Sequence, residues 1–452
     1  RDWSSDVCSS DLARPAAVVH SPHAASPVPA PGQWRMSPPP PTPAEPDPDP
    51  GSGPAVTTPP VMAAPAMATP VMAIAVLAVT AMAIGASMRL PDALLPRLAA
   101  EFHTTLGQAA QVITAFSVAY GLSQLLFGPL GDRYGKYRVI GWAAMASAAT
   151  ALLCALAPGH ATLLAARLLA GASAGAVIPL AMAWIGDVVP YEQRQTVLAR
   201  FLLGQMGGVA IGVWAGGFTA EHLPWRTPFA AIALFFAGSA ALLQLARRRL
   251  PAAALATRPA AAGGSGAAGA LRGLAGEFGA VLSTRWARLV LLTVFAEGAA
   301  FFGAFAFVAV HLHQRLGLPL STVGAMVMGF ALGGMGFALG ARWLVRWLGE
   351  AQLVLGGAGV AGLSLLTLAA APGSSAALAA CTAMGLGFYM MHNTLQTQAT
   401  QMAPQRRGAA VAAFAGSFFL GQSAGVALGD SGRAYVEANF DRSRPDTIPD
   451  KV

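Results

Sequence analysis

The chain has 452 residues, of which 55% are hydrophobic and only 11% are charged, and its formal net charge is +8. A typical soluble domain is about 25% charged, so this composition excludes an ordinary soluble protein and predicts an all-α polytopic membrane protein. The positive charge does not predict a nucleic-acid partner. The Lys and Arg residues fall mainly in short loops between apolar runs, where membrane orientation explains them better.

The first 66 residues precede the apolar runs and divide into two segments. Residues 1–12, RDWSSDVCSSDL, resemble one translated frame of a common sequencing adapter, and we interpret them as an artefact. Residues 13–66 are rich in Pro, Ala and Ser. Such a segment buries too little apolar surface to offset its ordering entropy, so we predict disorder. The alternative is a genuine Pro-rich cytoplasmic tail.

Eleven apolar runs follow, each long enough to cross a bilayer as a helix. They cover approximately 69–90, 108–130, 138–157, 161–184, 199–219, 227–246, 289–310, 321–345, 351–371, 375–397 and 409–429. A long basic and Gly/Ala-rich connection divides six spans from five, which predicts two pseudo-symmetric helical bundles. The predicted domains are a first bundle (67–247), a cytoplasmic linker (248–287), a second bundle (288–429) and an aberrant polar tail (430–452).

Alternate loops differ sharply in their content of Lys and Arg. One set contains Arg133, Lys136, Arg138, Arg194, Arg247, Arg248, Arg249, Arg258, Arg272, Arg285, Arg342, Arg346, Arg406 and Arg407. Apart from the final tail, the other set contains only Arg97, Arg226 and Arg315. Cytoplasmic loops carry the excess of positive residues, so we expect the first set and the N-terminus in the cytoplasm.

The loop between the second and third spans reads GPLGDRYGKYRV and combines an acid, several bases and two glycines. Orientation in the membrane needs only the bases. Glycine allows close approach of helices or turns, and a carboxylate suits a helix N-terminus or an arginine. The stretch closely resembles the G-x-L-x-D-R-x-G-x-[RK]-[RK] signature of the major facilitator superfamily. The residues that fit are Gly128, Leu130, Asp132, Arg133, Gly135, Lys136 and Arg138.

The resemblance covers about residues 70–429 and is closest to the twelve-span drug:proton antiporter-like group. It implies two helical bundles with a substrate cavity between them at the midplane. It also implies that this loop braces the bundles when the cytoplasmic side is closed, with Asp132 near Arg407 and Gly408. The family pattern would continue into a twelfth span after Gly429, so we expect that the last span is missing.

The second half contains a degenerate copy of the loop, GARWLVRWLGEAQLV. Gly349 can be matched to Gly135, and Arg346 then stands at the position of Asp132. Any bracing in this half must therefore use other partners.

Two glycine patterns inside spans also resemble the family. Arg167, Gly171 and Gly175 match R-x-x-x-G-x-x-x-G, and the arginine is expected to line the central cavity or influence a proton site. The alternative is a structural arginine that snorkels outward. Span five matches the antiporter motif G-x-x-x-G-P-x-x-G-G, with Val213 in place of proline, at Gly208, Gly212, Gly216 and Gly217. These glycines predict close helix packing without the proline-dependent kink.

Polar residues inside spans are the candidates for proton coupling and for the cavity. Glu297 lies near the middle of span seven, where burial favours a neutral carboxyl that can take up and release protons, so it is the first choice. The alternative is a protonated glutamate that only bonds a neighbouring helix. The other candidates are His392, Asn393 and Gln396 in span ten, and Arg89 and Asp92, which are spaced to pair with each other.

No sequence pattern predicts an enzyme. G-x-S-x-G at 171–175 and G-x-G-x-x-G at 357–362 lie inside spans and lack the strands that hydrolase and dinucleotide sites require. There is no nucleotide-binding P-loop, so ATP-driven transport is disfavoured. We expect no catalytic residues, no cofactor and no metal site.

These observations predict a secondary active transporter in a bacterial inner membrane. We expect a monomer in the lipid bilayer whose partners are protons and a small-molecule substrate, most simply an exported organic compound or drug. The alternatives are proton-coupled uptake of a nutrient or metabolite, and a truncated membrane protein that does not transport.

Overall fold

A computed structural model describes residues 70–255, 267–370, 373–403 and 406–440, apart from the side chains of several of them, which include Asp132 and Arg407. The predicted artefact and the predicted disordered segment therefore lie outside the described residues, as do positions 441–452 of the tail. The described residues form helices and connecting turns and contain no strand. The prediction of an all-α protein is confirmed.

The α-helices of the described residues follow one another in chain order. They are α1 (Val71–Phe102), α2 (Leu106–Tyr134), α3 (Lys136–Ala155), α4 (His160–Ala174), α5 (Val177–Val188), α6 (Tyr191–His222), α7 (Thr227–Arg249), α8 (Ala267–Ser283), α9 (Arg285–Glu297), α10 (Gly303–Leu316), α11 (Leu320–Val327), α12 (Gly329–Ala370), α13 (Ser374–Gln401) and α14 (Arg407–Phe440). A 3-10 turn (Ala252–Leu255) follows α7, and a π-helical turn (Gly298–Phe302) joins α9 to α10.

Ten helical segments in the described part are long and apolar enough to cross a membrane. The segment Leu320–Ala370 has 51 residues, about 77 Å of helix, which exceeds twice the roughly 30 Å of a bilayer core. It is interrupted at Gly349, where φ is 71° and ψ is 171°. Phe330 and Gly357, on either side of this break, both pack on the middle of α13. The segment thus doubles back and contains two of the eleven predicted spans.

Two helices extend beyond the ends predicted for their spans. The sequence placed the end of the first span at residue 90, but α1 continues through Pro91 and Pro96 to Phe102. Proline is tolerated inside membrane helices because neighbouring groups satisfy the freed backbone. Arg89 therefore lies inside the helix rather than near its end. The last helix, α14, likewise extends to Phe440, beyond the predicted end at Gly429.

Glycines set the contact between α1 and α6. A Cβ atom on Gly208 would overlap the carbonyl oxygen of Met82, and one on Gly212 would overlap that of Ala86. In the second half of the chain, a Cβ on Gly421 would overlap the carbonyl oxygen of Phe295. Small residues let membrane helices approach this closely, so α6 packs on α1 in the same way as α14 packs on α9.

The two halves of the described chain, 70–255 and 267–440, each have their own apolar core, and the most extensive contacts between them are made by two helix pairs. In the first pair, α2 meets α14, with the rings of Tyr120 and Phe419 centred 4.6 Å apart. In the second pair, α6 meets α11, where a Cβ on Gly217 would overlap the carbonyl oxygen of Leu320. The Ser321 hydroxyl also donates to Glu221 Oε2 at 2.5 Å across this contact.

Candidate functional site

The loop that carries the signature residues forms a turn between α2 and α3. Gly135 has a positive φ of 90°, a conformation that glycine adopts without strain. The Lys136 ammonium, in the first turn of α3, donates to the Asp187 carboxylate near the end of α5. The turn thus ties the ends of three helices together. Asp132 is among the residues whose side chains the structure does not describe, so its predicted partner stays a prediction.

Gly128 was expected to allow a close approach, and this expectation is wrong. A Cβ atom on Gly128 would meet nothing within 4 Å. The close approach is three residues further on, where a Cβ on Gly131 would lie 2.5 Å from the Leu180 side chain. Leu130 and Arg133 are exposed on the same segment.

Arg89 lies at the centre of a polar network between the two halves. Its Nη1 atom is 3.5 Å from Asp92 Oδ2, so the predicted pair is present, and both residues are buried. Its Nη2 atom donates to Gln422 Oε1 on α14 at 3.4 Å, and Gln422 in turn donates to the Ser117 hydroxyl on α2 at 2.7 Å. The guanidinium also lies 3.9 Å from the centre of the Phe302 ring.

These contacts compensate a buried charge. Isolated charges in an apolar interior are costly, and pairing, hydrogen bonds and stacking on an aromatic ring reduce that cost. Arg89 uses all three, and its partners come from both halves of the chain. A motion that separates the halves at this point must therefore break the contacts to Gln422 and Phe302.

Arg167 is fully buried, with 1% of its surface exposed, so the alternative of an arginine that snorkels outward is wrong. Its Nε atom donates to the Val112 carbonyl at 3.2 Å and its Nη1 to the Ser87 carbonyl at 3.1 Å. Its guanidinium lies 4.3 Å from the Phe116 ring centre. The arginine thereby joins α4 to both α1 and α2. Its Nη2 atom and Asp92 Oδ1 are buried without a hydrogen-bond partner among the described residues.

Glu297 and His392 form the second buried polar centre. His392 Nδ1 on α13 lies 3.1 Å from Glu297 Oε1, and only 1% of the glutamate side chain is exposed. Glu297 is the last residue of α9 and is followed directly by the π-helical turn. Such turns frequently occur at functional sites. Glu297 Oε2 is buried and has no hydrogen-bond partner within the described chain.

Aromatic rings surround this pair. The His392 ring centre is 5.0 Å from that of Phe388, 5.5 Å from that of Phe414 and 4.7 Å from that of Phe418. Phe302 contacts both Phe388 and Phe418, and the Arg89 guanidinium stacks on its ring. The same ring cluster therefore touches both polar centres.

Two predicted candidates in span ten are not part of this centre. Asn393 follows His392 in the helix and is exposed, whereas Gln396 is half-buried. Successive helix residues point about 100° apart, so His392 and Asn393 face different surroundings. Of the three candidates predicted in span ten, His392 is the one that the structure places beside Glu297.

The described part of the chain also shows polar residues that sequence reasoning missed. Gln422 and Ser117 are buried in apolar spans, and Asp187 pairs with Lys136. A glutamine inside the apolar run that ends at Gly429 was a signal that could have identified Gln422. In the described residues, no group of three or more His, Cys, Asp or Glu side chains is placed to hold a metal ion.

Residues 77–426 match the sequence profile of the Major Facilitator Superfamily. An uncharacterized MFS-type transporter, YceJ, of Bacillus subtilis is 27% identical over 57% of this chain and 63% of its own length. A probable efflux pump, mfs2, of Aspergillus flavus is 31% identical over 29% of this chain and 31% of its own. Multidrug export protein EmrB of Haemophilus influenzae is 27% identical over 30% of this chain and 27% of its own. Each match spans less than two thirds of the relative.

Proposed function

Because the chain belongs to the Major Facilitator Superfamily, we propose that it is a secondary active transporter that exports small organic compounds in exchange for protons. In this proposal it lies in a bacterial inner membrane with its N-terminus in the cytoplasm. The fold supports alternating access, since packed helix pairs join the halves and contacts of this kind can be broken on one side at a time.

The observation that carries the proposal is the buried Glu297–His392 pair. An ionisable residue inside a span is costly and is usually retained for function. When Glu297 is ionised, its carboxylate attracts a protonated His392 and ties α9 to α13. When Glu297 is protonated, this attraction is lost. Proton binding therefore changes the free energy of the contact between these helices.

The aromatic cluster connects the Glu297–His392 pair to the first half of the chain. His392 packs on Phe418, Phe418 on Phe419, and Phe419 on Tyr120 of α2. In the proposed mechanism, protonation of Glu297 shifts His392 against these rings and biases the α2–α14 contact. Substrate release biases the equilibrium back.

The proposed direction of transport is inferred from the relatives. Export is favoured by the names of the relatives, a probable efflux pump and a multidrug export protein. Val213 stands in place of a proline in the antiporter-like motif, so the motif is not itself an argument for export. The phenylalanines around Glu297 favour an amphiphilic substrate with an apolar body.

Purified protein in proteoliposomes tests the proposal. A fluorescent lipophilic dye is added under a proton gradient of each polarity, and the dye flux is compared between wild type and Glu297→Gln. Export predicts dye flux against the direction of proton flow in wild type and little gradient dependence in the variant. Flux in the same direction as protons would indicate uptake. A wild type without gradient-driven flux, or a variant with full gradient dependence, would contradict the proposal.

A further inference from the structure

A small cavity lies away from both polar centres, at the ends of α3, α5 and α7. Its volume is about 130 Å³, and the 3-10 turn after α7 forms part of its wall. The Trp184 indole N–H holds this turn in place by donating to the Ala254 carbonyl at 2.8 Å. A single water needs only about 10–15 Å³ of such space, so the cavity has room for a group the size of a phosphate.

The side chains that line this cavity carry an excess of positive charge. Lys136, Arg138 and Arg247 contribute cations, whereas Asp187 contributes the one carboxylate among the lining residues that the structure describes. Asp187 pairs with Lys136, and Arg247 Nη1 donates to a neutral amide oxygen, Gln244 Oε1, at 3.5 Å. The two arginines therefore supply charge that no carboxylate among those lining residues offsets, and guanidinium groups match phosphate oxygens well.

Tyr137 provides an independent indication of a ligand. It lines the cavity and is 98% buried, since only 2% of its surface is exposed. Its hydroxyl has no hydrogen-bond partner among the described residues, although its ring packs on Trp184 at 4.9 Å. A buried hydroxyl without a partner destabilises the folded state. Because Tyr137 is part of the cavity wall, an anion bound there could accept this hydrogen bond after a small shift of the ring.

The backbone favours an anion at the same place. Gly135, at the start of α3, has no side chain that could cap the helix, and Gly135 to Arg138 all line the cavity. The first N–H groups of a helix have no acceptor within the helix and attract negative charge.

From these features we infer that the cavity binds a phosphate group. Lys136, Arg138 and Arg247 supply the charge, Tyr137 donates from its hydroxyl, and the first turn of α3 contributes its N–H groups. An anionic phospholipid headgroup and a free phosphate are two sources of this group. Binding would fix the 3-10 turn that begins the connection between the halves. This site is separate from Glu297 and does not depend on the direction of transport.

The experiment measures ligand-induced stabilisation of the full purified chain in a neutral detergent. The unfolding temperature is recorded during separate titrations with inorganic phosphate, short-chain phosphatidylglycerol and a diacylglycerol of the same chains. A ligand that binds the folded state raises this temperature. Stabilisation by phosphatidylglycerol and phosphate identifies the phosphate group itself, and stabilisation by phosphatidylglycerol alone identifies the lipid headgroup. Both support the site. Failure of both to stabilise wild type, or equal stabilisation by diacylglycerol, overturns it.

Adjacent arginines at the end of α7 supply a matched pair of variants. Arg247 lines the cavity and Arg248 does not. We expect Arg247→Gln to weaken binding about tenfold, the loss of one charge-assisted hydrogen bond, while Arg248→Gln binds as wild type does. Equal weakening by both would mean a diffuse surface attraction and would overturn the site.

Tyr137→Phe keeps the ring and removes only the hydroxyl, so it is informative even if Arg247→Gln does not fold. We expect about threefold weaker binding, with an unfolding temperature without ligand that is equal to or higher than that of wild type. Unchanged binding by Tyr137→Phe would overturn the role of the hydroxyl.

Discussion

Gly135 and Gly349 occupy equivalent places in the two halves of the chain, and the turns they form differ in one respect. Both glycines have a positive φ, and each is followed by a residue that reaches the end of a later span. In the first half Lys136 pairs with Asp187, whereas in the second half Gln398 donates to Glu350. The positive φ is repeated in both turns. The residue after the glycine is a cation in the first half and an anion in the second, and the anion has a neutral partner instead of a charged one.

The interiors of the two halves show the same contrast between repeated packing and side-chain contacts that differ. Glycines pack α6 on α1 and α14 on α9 in the same way. The buried charges are not repeated, because the first half holds Arg89 in a network with several partners, whereas in the second half the described partner of Glu297 is His392. A scaffold needs the same small residues in both halves, whereas a site that binds protons is needed only once. We propose that the first network is structural and that the second is the proton-coupling centre.

The largest effect is expected where glycines pack two helices. Gly208→Leu and Gly421→Leu each place a side chain on backbone atoms of the neighbouring helix, and overpacking of this kind should cost about 3 kcal/mol or more. The measurement is the yield of folded, monodisperse protein in detergent. Gly128→Leu is the control, since its Cβ meets open space. Tolerance of one substitution but not the other would show that the two halves are not packed equivalently.

The second prediction compares the stability cost of substitutions at the two polar centres. Arg89→Gln leaves Asp92 buried without its cation, which should cost about 3–5 kcal/mol of stability. Glu297→Gln keeps the shape of the side chain and an acceptor for His392, so the expected cost is below about 1 kcal/mol. Unfolding temperatures of both variants in the same detergent provide the comparison. Similar losses would contradict the proposed division into a structural and a proton-coupling centre.

A smaller effect tests the two turns. Gly135→Ala and Gly349→Ala place a Cβ on residues with positive φ, which should cost about 1–3 kcal/mol each. No atom lies within 4 Å of the added Cβ at Gly349, so the cost there is purely conformational. Gly128→Ala, in a helix, is expected to be neutral or slightly stabilising. Thermal unfolding of the three variants measures these differences, and a neutral Gly349→Ala would rule out strain at that turn.

The smallest effect concerns the pairs beside the turns. A double-mutant cycle on Lys136→Gln and Asp187→Asn should give a coupling of about 0.2–1 kcal/mol, because the pair is partly exposed and screened by solvent. The equivalent cycle on Glu350→Gln and Gln398→Ala should give less, since one partner is neutral. A larger coupling in the second half would reverse the comparison.

Much of the fold could be predicted because membrane helices leave strong local signals. The apolar runs located the spans, and the signature between Gly128 and Arg138 indicated the family. The spacing of Gly208, Gly212 and Gly216 indicated close packing, although it did not identify α1 as the neighbour. The end of α1 was misplaced because Pro91 stops helices in water, whereas packing against other helices keeps this one continuous.

The site was harder to predict, because its geometry depends on contacts between distant positions. Glu297 and His392 were each singled out, but they are 95 positions apart and nothing local indicates that they touch. Arg89 and Gln422 are 333 positions apart. Burial also changed the interpretation of Arg167, since only the structure shows that its guanidinium donates to the Ser87 and Val112 carbonyls inside the protein. The functional roles of these residues stay predictions.

The most direct test asks whether protonation of Glu297 shifts the conformational equilibrium, and it needs no substrate. Spin labels are attached at Leu156→Cys and Ser375→Cys, which are exposed at helix ends in different halves, in a variant without the native cysteines. The distance between them is measured at an acidic and at an alkaline pH, about pH 5 and about pH 8.

We predict a distance distribution that changes with pH in the parent protein. In Glu297→Gln the distribution should be the same at both pH values, while Glu277→Gln, which alters an exposed glutamate on α8, should keep the change. A Glu297→Gln variant that retains the full pH-dependent change would contradict the assignment of Glu297 as the proton-coupling residue.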